Sequence, residues 1–176
     1  MLDQEHKLKI LKILAELEQA WGELDFIKIR SLWDQNQAPI YFAEEAQAPL
    51  LDWEALRGYW SFTASVIKRM NMKITSIPSF HMLTADLVTV VYTMHWDAMI
   101  NGDTRPMGGD NRVCATFRLT TEGWYFTQYI ESPLAPIAYI RSLYEKQQHR
   151  DLQIRSSGML NYKCILSSYS TIQTMS

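Results

Sequence analysis

The chain has 176 residues, 47% of them hydrophobic, with six Trp and nine Tyr, which is length enough for one buried core and too apolar for a disordered chain. A formal net charge of −2 and a pI near 6.1 supply no broad basic face, so neither nucleic acid nor an anionic membrane is expected as a partner. Cys114 and Cys164 lie far apart and form neither a disulfide framework nor a metal-ligand spacing, so both are expected as reduced thiols. The first residues, MLDQEHKLKILKIL, are charged throughout, and no apolar run approaches the ~20 residues that span a bilayer. The expectation is a soluble, cytoplasmic protein.

Leu8, Ile10, Leu11, Ile13, Leu14, Leu17 and Trp21 recur at helical spacing and predict an amphipathic helix over residues 3–21, broken at Gly22. Asp25 starts a shorter helix with Phe26, Ile29, Leu32 and Trp33 on one stripe. Pro39 ends it, and Ile40, Tyr41 and Phe42 read as a short strand. Asp52 is a good N-cap for a third helix over residues 53–69 that buries Leu56, Trp60 and Ile67. Gly58 inside that helix costs about 1 kcal/mol relative to Ala, which a bulky neighbour pressing on the backbone would explain. Pro78 makes residues 72–83 an edge or bulged strand.

Three strand-like runs follow, over residues 87–100, 111–119 and 124–131. Each alternates apolar with polar side chains, the pattern of strands whose faces see different surroundings. Asn101-Gly102-Asp103 with Gly108-Gly109-Asp110, and then Thr121-Glu122-Gly123, supply the turns of an antiparallel meander. Pro136 opens a final helix carrying Ile137, Ile140, Leu143 and Tyr144. Residues 1–150 thus form one domain, and residues 151–176 form either one more strand or a poorly ordered tail.

The order helix, helix, short strand, helix and long antiparallel sheet resembles the cone-shaped folds of the nuclear transport factor 2-like superfamily, which includes SnoaL-like polyketide cyclases and ketosteroid isomerases. Residues 18–34 (EQAWGELDFIKIRSLWD) resemble its opening helices, and residues 53–60 (WEALRGYW) its third helix. Gly123-Trp124, with Ser132 eight residues after Trp124, is similar to its closing hairpin. The likeness covers residues 5–145. Gln128 and Ile130 stand where the last strand of the family often carries histidines, and the tyrosine and acid pair of the isomerases has no match. The resemblance therefore implies an α+β, cystatin-like cone, a curved antiparallel sheet wrapped around N-terminal helices, and a pocket. It does not imply a reaction.

Two groups of residues are candidates for a site. Tyr92, Met94, Trp96, Phe117, Phe126 and Ile130 on the apolar sheet face, with Trp21, Trp33, Tyr41 and Trp60 from the helical side, either line a cavity or fill the core. On the polar face, pairing Thr120 with Gly123 across a two-residue turn puts Arg112 opposite Glu131, Cys114 opposite Tyr129 and Phe117 opposite Phe126. A three-residue turn with a Gly bulge shifts this by one residue and separates Arg112 from Glu131. In the first register His95, Asp97, Arg112 and Glu131 form a charged cluster, either a site or ordinary surface ion pairs.

The expected catalytic residues are Asp97 as base and His95 as helper; they share one face near the end of a long strand, provided that face reaches the cavity. The expected ligand-binding residues are Tyr41, Trp60, Tyr92, Trp96, Arg112, Gln128 and Glu131. His6, His81 and His149 are isolated, and no metal, cofactor, phosphate loop or nucleophile motif is expected. The function expected is binding of a small apolar or amphipathic molecule, with isomerisation, dehydration or cyclisation by proton transfer and no cofactor. The alternative is a non-catalytic dimerisation or scaffold module with a vestigial pocket. A homodimer is expected in either case, through the uncovered sheet face with Tyr125, Thr127 and Tyr129 beside Thr89 and Thr93.

Overall fold

The computed structural model describes residues 2–134, which belong to one unit, Met1–Ala135. The predicted final helix and the 151–176 run lie outside the described residues, as does Cys164. Helix α1 (Gln4–Glu23) starts at Asp3, whose carboxylate accepts the His6 amide at 2.8 Å. Ile10, Leu14, Leu17, Ala20 and Trp21 are its buried stripe. Gly22 does not break it. The chain turns at Leu24, which adopts a left-handed conformation (φ 54°) and donates its N–H to the carbonyls of Ala20 and Trp21.

Asp25 caps α2 (Phe26–Ser31) by accepting the Lys28 amide at 2.8 Å, and β1 (Ile40–Phe42) follows. Asp52 caps α3 (Trp53–Val66) through the Ala55 amide at 2.7 Å. This helix is shorter than predicted. Ile67, expected on its buried stripe, opens strand β2 (Ile67–Ile74) and pairs with Ile100. A β-branched residue with a partner strand beside it gains more from the ladder than from one further helical turn. Nor does any neighbour press on Gly58: a Cβ there would meet nothing within 4 Å.

Pro78 interrupts the predicted 72–83 strand. Thr75 to Pro78 form no ladder, and β3 (Ser79–Met82) resumes pairing further along β4 (Leu87–Ile100). Strand β5 (Met107–Leu119) begins earlier than predicted because Gly108 and Gly109 are in the strand and not in its turn. Gly108 faces Asp97 at close range: a Cβ there would lie 2.6 Å from the Trp96 carbonyl oxygen and 2.6 Å from Asp97 Oδ1. Strand β6 (Trp124–Pro133) completes a sheet of order β1-β6-β5-β4-β2, with β3 also on β4; β1 runs parallel to β6 and every other pairing is antiparallel.

The register of the last hairpin decides which side chains face inward. Thr120 N–H donates to the Gly123 carbonyl at 2.8 Å, so the turn has two residues, and Phe117 pairs with Phe126. Up to that point the first predicted register holds. Between Phe126 and Gln128 the ladder then slips, leaving Thr127 as one extra residue on β6. Beyond the slip Tyr129 pairs with Ala115, Glu131 with Val113, and Arg112 with Ser132.

Since side chains alternate with period two, one extra residue exchanges the two faces. Tyr129 and Glu131, expected on the polar face, join the inner face, and Ile130, expected on the apolar face, goes to the outer one. The inner face carries Val88, Val90, Tyr92, Met94, Val113, Ala115, Phe117, Phe126 and Tyr129, all buried against α1, α2 and α3 in a single core. The outer face carries Thr89, Val91, Thr93, His95 and Asp97 on β4.

Candidate active site

The sheet curves away from the helices at one end, and a cavity of about 450 Å³ opens there. Its walls come from α3 (Tyr59, Phe62, Thr63, Val66), from β2 (Ile67, Met70, Met72) and from β4 (Met94, Trp96, Ala98, Ile100). The turn after β1 adds Glu44 and Glu45, and Tyr41 and Glu131 close the polar end. Methionine side chains adapt their shape at little cost, so this wall suits an apolar ligand without fixing its outline. Gly109 pairs with Trp96, and a Cβ there would stand in ordinary contact with the indole, 3.5 Å from Nε1.

The polar end is a connected set of tyrosines and carboxylates. The Tyr41 hydroxyl donates to Glu131 Oε1 at 3.2 Å, and the Tyr41 ring stacks on Tyr129 with centroids 5.6 Å apart and planes at 9°. Asn111, fully buried on the inner face of β5, donates its amide to Glu131 Oε2 at 3.4 Å. The Tyr59 hydroxyl donates to Glu45 Oε1 at 3.0 Å. Beneath them Tyr92 donates to the Tyr129 hydroxyl at 3.4 Å, and Tyr129 reaches Met94 Sδ at 3.5 Å.

Desolvation sets the protonation of this set. Loss of water around the Glu131 carboxyl raises its pKa to about 8, and the charges of Glu45 and Glu44 push the same way; the bond from Tyr41 only partly opposes them. Glu44 is raised for the same first reason, opposed by hydrogen bonds from Asn111 and the Trp96 indole. Tyr41, Tyr59, Tyr92 and Tyr129 are all raised by burial, so each stays a neutral phenol able to donate. A carboxyl that exchanges its proton near neutrality, beside fixed neutral donors in an apolar cavity, is equipped to move a proton on a bound molecule.

Of the residues expected from sequence, Tyr41, Trp96 and Glu131 line the cavity. Trp60 and Tyr92 do not; they are core residues, Trp60 packed on Trp33 and Tyr92 under Tyr129. Gln128, paired with Ile40 and Thr116, and Arg112, bonded to Ser132 Oγ at 3.1 Å, lie on the outer face. The expected catalytic pair also lies there. His95 Nδ1 meets Asp110 at 2.8 Å and its Nε2 meets Asp97 at 3.2 Å, in an exposed cluster that reaches no cavity wall. The predicted grouping of His95, Asp97, Arg112 and Glu131 does not form, because Glu131 is on the opposite face. Sequence reasoning missed Glu44, Glu45, Tyr59 and Asn111. The signal for the first two was present, two adjacent acids directly after a short apolar strand. Nothing local marks Asn111.

The SnoaL-like domain family matches residues 10–136, well over half of the chain. The protein belongs to this family. Among curated proteins, none matches it. Among solved structures, a proposed aromatic ring hydroxylase from Novosphingobium aromaticivorans is similar at a TM-score of 0.69 and 14% identity, over 77% of this chain and 94% of that one. A nuclear transport factor 2-like superfamily protein from Salmonella enterica gives 0.68 and 12%, over 75% and 93%. A proposed dehydratase of the same superfamily from Streptomyces avermitilis gives 0.65 and 16%, over 76% and 100%. At these identities the likeness is one of fold. The SnoaL-like fold leaves the chemistry of the cavity to the residues that line it. No helix among the described residues is long and apolar enough to cross a membrane.

Proposed function

We propose that this SnoaL-like protein binds a small, largely apolar molecule in the cavity and moves a proton on it, with Glu131 as the proton carrier. One observation carries the reading: the Glu131 carboxyl, held by Tyr41, stands at the polar end of a largely apolar cavity. As carboxylate it takes a proton from a carbon next to a carbonyl, and the C–H electron pair moves to the carbonyl oxygen. As acid it returns the proton to another atom of the substrate. Isomerisation, dehydration and cyclisation all follow this pattern and ask for positioned acid–base groups only.

A scaffold module with a vestigial pocket would fill this volume with side chains, and an open cavity of about 450 Å³ with carboxylates at its wall favours the binding reading. The uncovered outer face, where Val91 is 40% exposed among Thr89 and Thr93, is our candidate for a homodimer surface. The functional reading is tested with β-tetralone, a neutral ketone with exchangeable C–H groups. It should quench tryptophan fluorescence saturably and take up deuterium from heavy water faster with the protein than without it. Glu131→Gln should keep the quenching and lose about 10²-fold or more of the exchange. Saturable binding with exchange unchanged by Glu131→Gln would leave a binding protein and remove the proton-transfer claim.

A further inference from the structure

We infer that the ligand of this cavity carries a protonated amine, held among Glu44, Glu45 and Glu131 while its apolar body lies along the methionine wall; this rests on the cavity reading above. The ionisable lining is one-sided. Three carboxyl groups line the cavity, and no Lys, Arg or His does among the described residues. The lining hydroxyls are already committed, Tyr41 to Glu131, Tyr59 to Glu45 and Thr63 to the Tyr59 carbonyl.

The polar end of the cavity therefore holds three acidic groups and, among the described residues, no basic one. An anion would meet repulsion there, an alcohol supplies one donor, and an ammonium supplies three donors and the missing charge. The Trp96 and Tyr59 rings on the same walls offer faces that also attract a cation.

The reading has a protonic consequence. An ammonium beside Glu131 favours its carboxylate, so binding expels the Glu131 proton to solvent and the ligand ionises the base that would act on it. Affinity for an amine should then rise with pH across the titration of Glu131.

Three matched probes separate the possibilities: naphthylmethylamine as cation, naphthylmethanol as neutral partner and naphthylacetate as anion, each titrated against the whole chain by calorimetry. The amine should bind about tenfold or more tighter than the alcohol near pH 7.5, and the acetate more weakly than either. Amine affinity should rise between about pH 6 and about pH 8 while alcohol affinity stays flat. Glu44→Gln with Glu45→Gln should lower amine affinity by a larger factor than alcohol affinity. Glu131→Gln should flatten the pH dependence. Alcohol binding equal to or tighter than amine overturns the amine assignment and leaves the cavity reading standing. Failure of all three probes to bind overturns both.

Discussion

Glu131 stands opposite Val113, not Arg112, and that single pairing turns a surface acid into a cavity acid. The cause is Thr127, the extra residue on β6 between the Phe117–Phe126 pair and the Thr116–Gln128 pair. Deleting Thr127 should restore an unbroken register, send Tyr129 and Glu131 to the outer face, and break the Tyr41–Tyr129 stack. The expected loss is about 3 kcal/mol or more in urea unfolding, typical of a disrupted core aromatic. A deletion variant with wild-type stability would mean that the slip does not position these residues.

Protonation of Glu131 should be visible in stability. Its folded pKa is raised to about 8 from an ordinary value near 4.5, so between those pH values the folded state holds a proton that the unfolded state has released. Stability therefore falls as pH rises through that window, and Glu44, raised for the same reason, adds to the slope. Glu131→Gln keeps the shape and removes the charge. It should flatten the fall of the melting temperature between about pH 5 and about pH 8, and near pH 8 it should be more stable than wild type by on the order of 1–3 kcal/mol. A wild type whose melting temperature climbs through this range would contradict the desolvated carboxyl.

The outer cluster of His95, Asp97 and Asp110 should matter little to ligands. Asp97→Asn and His95→Gln should leave tetralone quenching and exchange unchanged. The His95 ring is held above its ordinary pKa, first by the hydrogen bond to Asp110 and then by that to Asp97. An NMR titration of the imidazole should therefore move down in Asp110→Asn more than in Asp97→Asn. Equal shifts, or loss of exchange in Asp97→Asn, would argue for a different role for this face.

Two glycines give opposite outcomes for the same change. Gly58 sits in the exposed middle of α3 with open space around it, so Gly58→Ala should stabilise by about 0.5–1 kcal/mol. At Gly108 the new methyl would collide with the Trp96 backbone carbonyl, and Gly108→Ala should destabilise by about 1–3 kcal/mol while disturbing Trp96 in the cavity wall. Thermal melts of the two variants check both signs.

Much of this fold was legible because period and punctuation agree. Strand β4 was read at its observed ends, and Asp25 and Asp52 cap the helices they were expected to cap. The SnoaL-like likeness carried in the closing hairpin is the family the chain belongs to. The candidate site was legible only in part. Tyr41 and Trp96 fall on the inner face by simple alternation from the strand cores. Glu131 was picked for a pairing with Arg112 that does not form, since a bulge at Thr127 has no local signature: threonine is as ordinary in a regular strand as in a slipped one. His95 and Asp97 looked like a catalytic pair because they share a face, and alternation alone does not say which face is concave. Glu44, Glu45 and Tyr59 come together from a turn and the helix that follows it, Tyr59 standing 14 residues after Glu45, which only the packing of α3 over the end of the sheet brings about.

The account turns on Glu131 as a cavity carboxyl that keeps its proton near neutrality. Carbon-detected NMR of glutamate side chains labelled at the carboxyl reports this directly. One resonance should titrate near pH 8, be absent in Glu131→Gln, and shift toward lower pH when naphthylmethylamine is bound. If every glutamate titrates in the ordinary range near 4.5, or if the high-pH resonance survives in Glu131→Gln, Glu131 is not the proton carrier of this cavity.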